Sequence, residues 1–165
     1  NVSSTLSLIK KKKFNSIILN FDENSEDLFK WYQQLIAESL GKKMKGILPV
    51  VSNLPRDNHS MMQLYLDGPR NNFYTFFDVL DYPKNSYLAK VKLAQKEATK
   101  TVFKKKKIPF RYFDLSSRSE TSLGTMFTFF MLETILLGEI LKINPFDQPA
   151  VELIKIQTQK NLRNL

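Results

Sequence analysis

Glu38 and Gln34 have types and spacing that could support proton transfer. They lie four residues apart in a segment of helical periodicity, so both side chains are expected on one helix face. The core-facing side of that helix is marked by an apolar stripe: Leu28, Tyr32, Leu35 and Ile36. Glu38 is then expected on the flank, in the last turn, where a carboxylate could abstract a proton near neutral pH. A surface Glu at a helix end fits the same spacing.

His59 and Lys155 are the other candidates for chemistry. His59, the only histidine, follows a loop rich in Pro, Asp and Asn and is predicted to begin an apolar helix. It could face a site, or it could bond to a backbone group at the helix start. Lys155 follows Gln148 by seven residues and has apolar neighbours, so it could serve a site or extend its charge into solvent. No Ser-His-Asp arrangement can be assigned.

Composition narrows the chemistry further. The 165 residues contain no Cys, one His and five Gly. The absence of Cys excludes a cysteine nucleophile and Cys-ligated metals, and the low His and Gly counts exclude the usual His-rich metal clusters and a glycine-rich phosphate loop. The net charge of +9 comes mostly from Lys rather than Arg. A Lys-rich excess is more typical of a solvated surface than of a nucleic-acid site. We therefore expect no metal, no cofactor and no nucleic-acid partner.

The sequence also bears on location. The longest apolar stretch covers residues 126–137 and contains Thr and Glu, so it is too short and too polar for a membrane span. No charged segment followed by an apolar one marks a signal peptide. These features predict a cytoplasmic protein without a membrane partner.

Strand-like and helix-like segments alternate along the chain. Short β-branched or aromatic runs predict four strands, at residues 16–21, 46–51, 72–80 and 108–113. Helical segments are expected between and after them, with Asn24 as one N-cap and a capping box that begins at Ser117. Such alternation predicts an α/β fold, a three-layer α/β/α sandwich with a mainly parallel sheet. We expect one domain throughout.

Three motifs carry a resemblance to a known family. Residues 31–42 (WYQQLIAESLGK) resemble the active-site helix of the glucose-6-phosphate isomerase family. The stretch 57–69, which contains DNHS and QLYLDGP, resembles a second conserved loop, and residues 138–155, with GEIL and FDQPAVELIK, resemble the C-terminal signature. The order of the three motifs matches. Three neighbouring positions depart from the family pattern: Leu40, Asn58 and Ala150.

The resemblance implies a reaction and roles. The family interconverts glucose 6-phosphate and fructose 6-phosphate through a cis-enediol, without a cofactor or metal. Glu38 would be the general base, and His59 would assist ring opening from the other subunit of a homodimer. Lys155 would act at the ring oxygen, while Gln34 and Gln148 would bind substrate.

The resemblance also implies a domain assignment. Residues 1–165 would form the C-terminal part of the second sugar-phosphate isomerase domain plus a C-terminal helical tail, incomplete at the N-terminus. The phosphate-binding residues would then lie upstream. Two other functions are considered beside the isomerase. One is a non-catalytic sugar-phosphate-binding domain of the same fold, and the other is a basic nucleic-acid-binding domain.

Overall fold

Four parallel strands form the centre of the fold. The structure is a computed structural model that describes residues 1–83 and 86–163. The sheet order is β2-β1-β3-β4. The strands are β1 (Asn15–Asn20), β2 (Leu48–Asn53), β3 (Asn72–Val79) and β4 (Phe110–Leu115). Ile17 of β1 is paired with Val50 of β2 and with Tyr74 of β3. The predicted parallel sheet is confirmed.

Seven helices are described around the sheet, with a short 3-10 turn at Glu23–Ser25. They are α1 (Val2–Lys10), α2 (Glu26–Leu40), α3 (Arg56–Ser60), α4 (Met62–Asp67), α5 (Tyr87–Lys105), α6 (Glu120–Leu141) and α7 (Pro149–Leu162). The region of α1 had no predicted helix.

The two faces of the sheet carry separate cores, because successive residues of a strand point to opposite sides. On one face, Ile18 packs with Phe29 of α2 and Phe130 of α6. On the other, Leu19 packs in a cluster with Tyr65 of α4 and Phe103 of α5. Helices therefore cover both faces, and the predicted α/β/α arrangement is confirmed.

Several predicted boundaries are wrong by a few residues. Two strands begin and end two positions later than the pattern indicated, at Leu48–Asn53 and Phe110–Leu115. Ser25, not Asn24, precedes α2, and its hydroxyl bonds to Asp22 instead of capping the helix. At α6 the cap is Ser119, whose Oγ accepts the Ser122 N–H. The capping box predicted from Ser117 is therefore wrong.

The most apolar helix is α6. Among the described residues, it is the one helix long and apolar enough to cross a membrane by length and composition. Its Met126, Phe130 and Leu137 are buried in the core that includes α2. The apolar helix is thus longer than the stretch at residues 126–137 that was expected to be too short for a span, and only one of its faces packs into the core.

Candidate active site

Glu38 lies in the last turn of α2, one turn after Gln34. The Gln34 amide donates a hydrogen bond to Glu38 Oε1 at 3.0 Å. The helix is oriented by Tyr32, Ile36 and other core-facing residues that are buried, which leaves Glu38 half-buried at its flank. The shared face predicted for this pair is thus present in the structure.

Gln148 reaches the same carboxylate from a distant part of the chain. It precedes α7, and its Nε2 donates to Glu38 Oε2 at 2.6 Å. Each carboxylate oxygen therefore accepts one amide N–H. Two oxygens offer about four acceptor sites, so capacity remains for a substrate proton. Within residues 1–83 and 86–163, Glu38 takes part in no salt bridge.

The turn that carries Gln148 is fastened to the end of α2. Lys42 Nζ donates to the Asn144 carbonyl at 2.6 Å and lies 3.1 Å from Asp147 Oδ1. The hydrogen bond from Lys42 holds the pKa of the Asp147 carboxyl below its ordinary value. Lys45 Nζ donates to the Leu141 carbonyl at the end of α6, at 2.8 Å. The two Lys42 contacts hold the α6–α7 turn over the last turn of α2, whereas the Lys45 contact reaches only the end of α6.

His59 lies near the end of α3 and is exposed, so the prediction that it begins a helix is wrong. The preceding Asp57 fixes this turn: its Oδ2 accepts Ser52 Oγ at 2.9 Å and the Asn53 N–H at 3.0 Å. Burial alone would raise the pKa of Asp57, but hydrogen bonds from Arg56 and Ser52 outweigh it and lower that pKa. The ionised carboxylate therefore ties α3 to the end of β2.

Glu38 and His59 lie at opposite ends of the sheet in one chain. α2 runs back between the parallel strands β1 and β2, so Glu38, in its last turn, lies near the strands' amino ends. Gln33 of the same helix accordingly bonds to the carbonyl of Pro49 at the start of β2. His59 instead follows the carboxyl end of β2, about 20 Å away by the length of a six-residue strand. Substrates of parallel α/β sheets commonly bind at the carboxyl ends of the strands, so Glu38 lies at the opposite end of the sheet from that common position.

Lys155 lies on α7 and does not reach Glu38 in the structure. Its Nζ is paired with Glu152 Oε1 at 2.6 Å, and both side chains are more than half exposed. No residue in the described part of α7 is buried. Among the described residues, no hydrogen bond or salt bridge joins Lys155 to Glu38, so the role of Lys155 at the ring oxygen stays a prediction.

A second group of buried charges lies where β3 and β4 end. Lys96 of α5 is 2.7 Å from Asp78 and 3.1 Å from Asp114. Burial alone would lower the pKa of Lys96, but the hydrogen bond and charge of Asp78 outweigh it and raise that pKa. Tyr82 also donates to Asp78, and the Tyr82 pKa is raised by burial and by this bond. This group links α5 to the sheet.

Lys42 and Asp57 hold parts of the site in place, and no such role was predicted for either residue from the sequence. Lys42 lay within the first motif, but its partner Asp147 is too distant in sequence for any local signal. Asp57 had one available signal, since an acid near the start of a short helix often stabilises the helix.

Metal binding was also considered. Residues 1–83 and 86–163 include no group of three or more His, Asp or Glu suited to hold an ion.

The chain is similar in sequence to known glucose-6-phosphate isomerases. No protein-family model matches the chain. The glucose-6-phosphate isomerase of Methanocaldococcus jannaschii is 30% identical over an alignment of 157 residues, which covers 87% of this chain and 39% of that protein. The enzyme of the same name from Mycoplasmopsis pulmonis is 34% identical over 90% of this chain and 39% of its own length.

Solved structures share the fold. A Thermus thermophilus protein described only as hypothetical superposes with a TM-score of 0.82 and 26% identity, over 96% of this chain and 44% of its own. A glucose-6-phosphate isomerase from Chlamydia trachomatis gives 0.83 at 16% identity, over 98% and 37%. The four-stranded parallel α/β sandwich thus has the same fold as these two structures.

In sequence the chain is similar to glucose-6-phosphate isomerases over about nine tenths of its length, which confirms the resemblance predicted from its three motifs. It spans about two fifths of the length of the curated relatives it matches.

Proposed function

We propose that this chain is the C-terminal portion of a glucose-6-phosphate isomerase, comprising the end of its second sugar-phosphate domain and the helical tail α7. The full-length protein would interconvert glucose 6-phosphate and fructose 6-phosphate in the cytoplasm. The observation that carries the proposal is the carboxylate of Glu38, which accepts amide hydrogen bonds from Gln34 and Gln148. The curated relatives named for this reaction support the substrate class.

Glu38 would act as the base on the opened sugar. Its carboxylate takes the proton from C2 of the aldose, the C1–C2 double bond of a cis-enediol forms, and O1 gains a proton. The same carboxyl group then returns its proton to C1, and the O2 hydroxyl loses its own as the ketone forms. Both electrons remain in the substrate, so the balanced step needs no redox partner. The two amides orient the carboxylate and leave acceptor sites for the transferred proton.

His59 would serve a neighbouring subunit. Within one chain it lies at the end of the sheet opposite Glu38, so a single chain cannot place both on one sugar. A symmetric homodimer would bring the exposed His59 of one subunit to the Glu38 of the other. There it would assist ring opening, with Lys155 acting on the ring oxygen once α7 is packed in the complete protein.

Exchange of the substrate C2 hydrogen tests this function in the full-length protein. When an isomerase is incubated with glucose 6-phosphate in heavy water, the sugar loses its C2 hydrogen and fructose 6-phosphate forms. A non-catalytic sugar-phosphate-binding domain would bind the sugar and give neither result. Saturable binding without exchange would therefore reject the isomerase and retain the fold-level alternative.

A further inference from the structure

Lys42 connects the helix that carries Glu38 to the turn that carries Gln148. Its ammonium donates to the Ser39 carbonyl at 3.2 Å and to the Asn144 carbonyl at 2.6 Å. It also lies 3.1 Å from Asp147 Oδ1. One side chain therefore joins two segments that are about one hundred positions apart and that meet at the carboxylate.

The ammonium of Lys42 is enclosed by its partners. The side chain is only 10% exposed, whereas that of Asp147 is 52% exposed. An ammonium has three donors, and three oxygen acceptors surround this one. A cation at the last carbonyls of α2 is also favourable against the negative end of the helix. The turn before Gln148 is thus held by an ammonium group whose three donors each have an acceptor.

We propose that Lys42 is a positioning residue for the isomerase reaction, because it holds the α6–α7 turn so that the Gln148 amide stays on the Glu38 carboxylate. This inference rests on the proposed function, in which Glu38 is the base. Lys42 acts through Gln148. Lys45 provides a matched comparison, because it bonds to the Leu141 carbonyl at the end of α6 instead of to the turn.

The first test compares Lys42→Met with Lys45→Met in the full-length protein. Lys42→Met is expected to lower kcat by about tenfold or more, since small displacements of positioning groups are costly. Lys45→Met is expected to keep kcat within about twofold, as for surface changes away from the site. Equal losses in the two variants would overturn the proposal, because any Lys near this junction would then serve equally well.

The second test asks whether Lys42 acts through Gln148. The double variant Lys42→Met with Gln148→Ala is expected to have the kcat of Gln148→Ala alone. Losses that multiply would show that Lys42 works independently and would overturn the proposal. A Gln148→Ala variant with wild-type kcat would do the same, while a full loss in Glu38→Gln would leave the proposed function standing.

A third variant guards against a folding defect in Lys42→Met. Asp147→Ala removes the ion pair from the exposed side of the turn, and its melting temperature is expected to stay within a few degrees of wild type. The kcat of Asp147→Ala is expected to be lower than that of wild type, as is the kcat of Lys42→Met. A folded Asp147→Ala and a folded Lys42→Met with unchanged kcat would overturn the proposal.

Discussion

The amide of Gln148 donates to Glu38 Oε2 at 2.6 Å, across 110 positions of sequence. Together with Gln34 on the other oxygen, it defines the orientation of the carboxylate. Neither neighbour is charged, so the carboxylate is held without an ion pair that would compete for a proton. This relationship links the α6–α7 turn to the proposed chemistry.

Removal of the Gln148 amide is expected to reduce turnover. In Gln148→Ala the carboxylate loses one of its two donors and gains rotational freedom, so kcat should fall by about 10- to 100-fold. Gln157→Ala is the matched control, because Gln157 lies on exposed α7 and bonds only to Asn161 among its described neighbours. Steady-state kinetics of the full-length variants measure both. An equal effect of the two substitutions would remove Gln148 from the site.

Mixed dimers test the placement of His59. Glu38→Gln and His59→Ala homodimers are each expected to be nearly inactive. A heterodimer of the two would contain one site with an intact Glu38 and an intact His59, provided that these residues come from different subunits. Co-purified heterodimers should then regain about half of the wild-type activity, one of two sites in a symmetric dimer. Heterodimers as inactive as their parents would assign both residues to one subunit.

Lys96 is expected to contribute strongly to stability. Lys96→Met would leave the buried carboxylate of Asp78 without its closest cation, at a cost of about 3 kcal/mol. Lys90→Met, on the exposed side of the same helix, should change stability by less than about 0.5 kcal/mol. Urea unfolding of the full-length variants reports the difference. Indistinguishable midpoints would show that the buried charges do not stabilise the junction of α5 and the sheet.

Asp57 predicts a pH-dependent contribution to stability. Because its pKa is lower in the folded protein, its contribution is fully present above the ordinary value of 3.8 and is lost as pH falls through the folded pKa. The stability difference between wild type and Asp57→Asn should therefore be constant near neutral pH and shrink below about pH 4. Thermal unfolding across pH measures it. A difference that grows on acidification would contradict the hydrogen-bond pattern with Ser52 and Asn53.

The fold was accessible from sequence because the controlling signals are local. The run SIILN has the β-rich character of a buried strand, and its alternation with helices implies parallel pairing. Exact strand limits were not accessible, because β2 extends to Asn53 through pairing with Asn20 of β1 rather than through its own residues. The same limit hid the cap at Ser119, since three nearby serines can each begin a helix.

The site was accessible only in part. The i, i+4 spacing of Gln34 and Glu38 placed them together, whereas Gln148 joined them only through family resemblance. Nothing local indicates that Lys42 bonds to Asp147, since such pairing arises when the two segments pack. The position of Lys155 relative to Glu38 stays a prediction, because α7 is unburied in the described chain.

Hydrogen exchange at C2 of glucose 6-phosphate by the Glu38→Gln variant is the most direct measurement of the central claim. The amide keeps the shape of the side chain but cannot take a proton, so exchange in heavy water should slow by about 1,000-fold, while substrate still binds. Glu26→Gln, at the exposed start of the same helix, should exchange as fast as wild type. Exchange by Glu38→Gln at the wild-type rate would show that another group moves the proton.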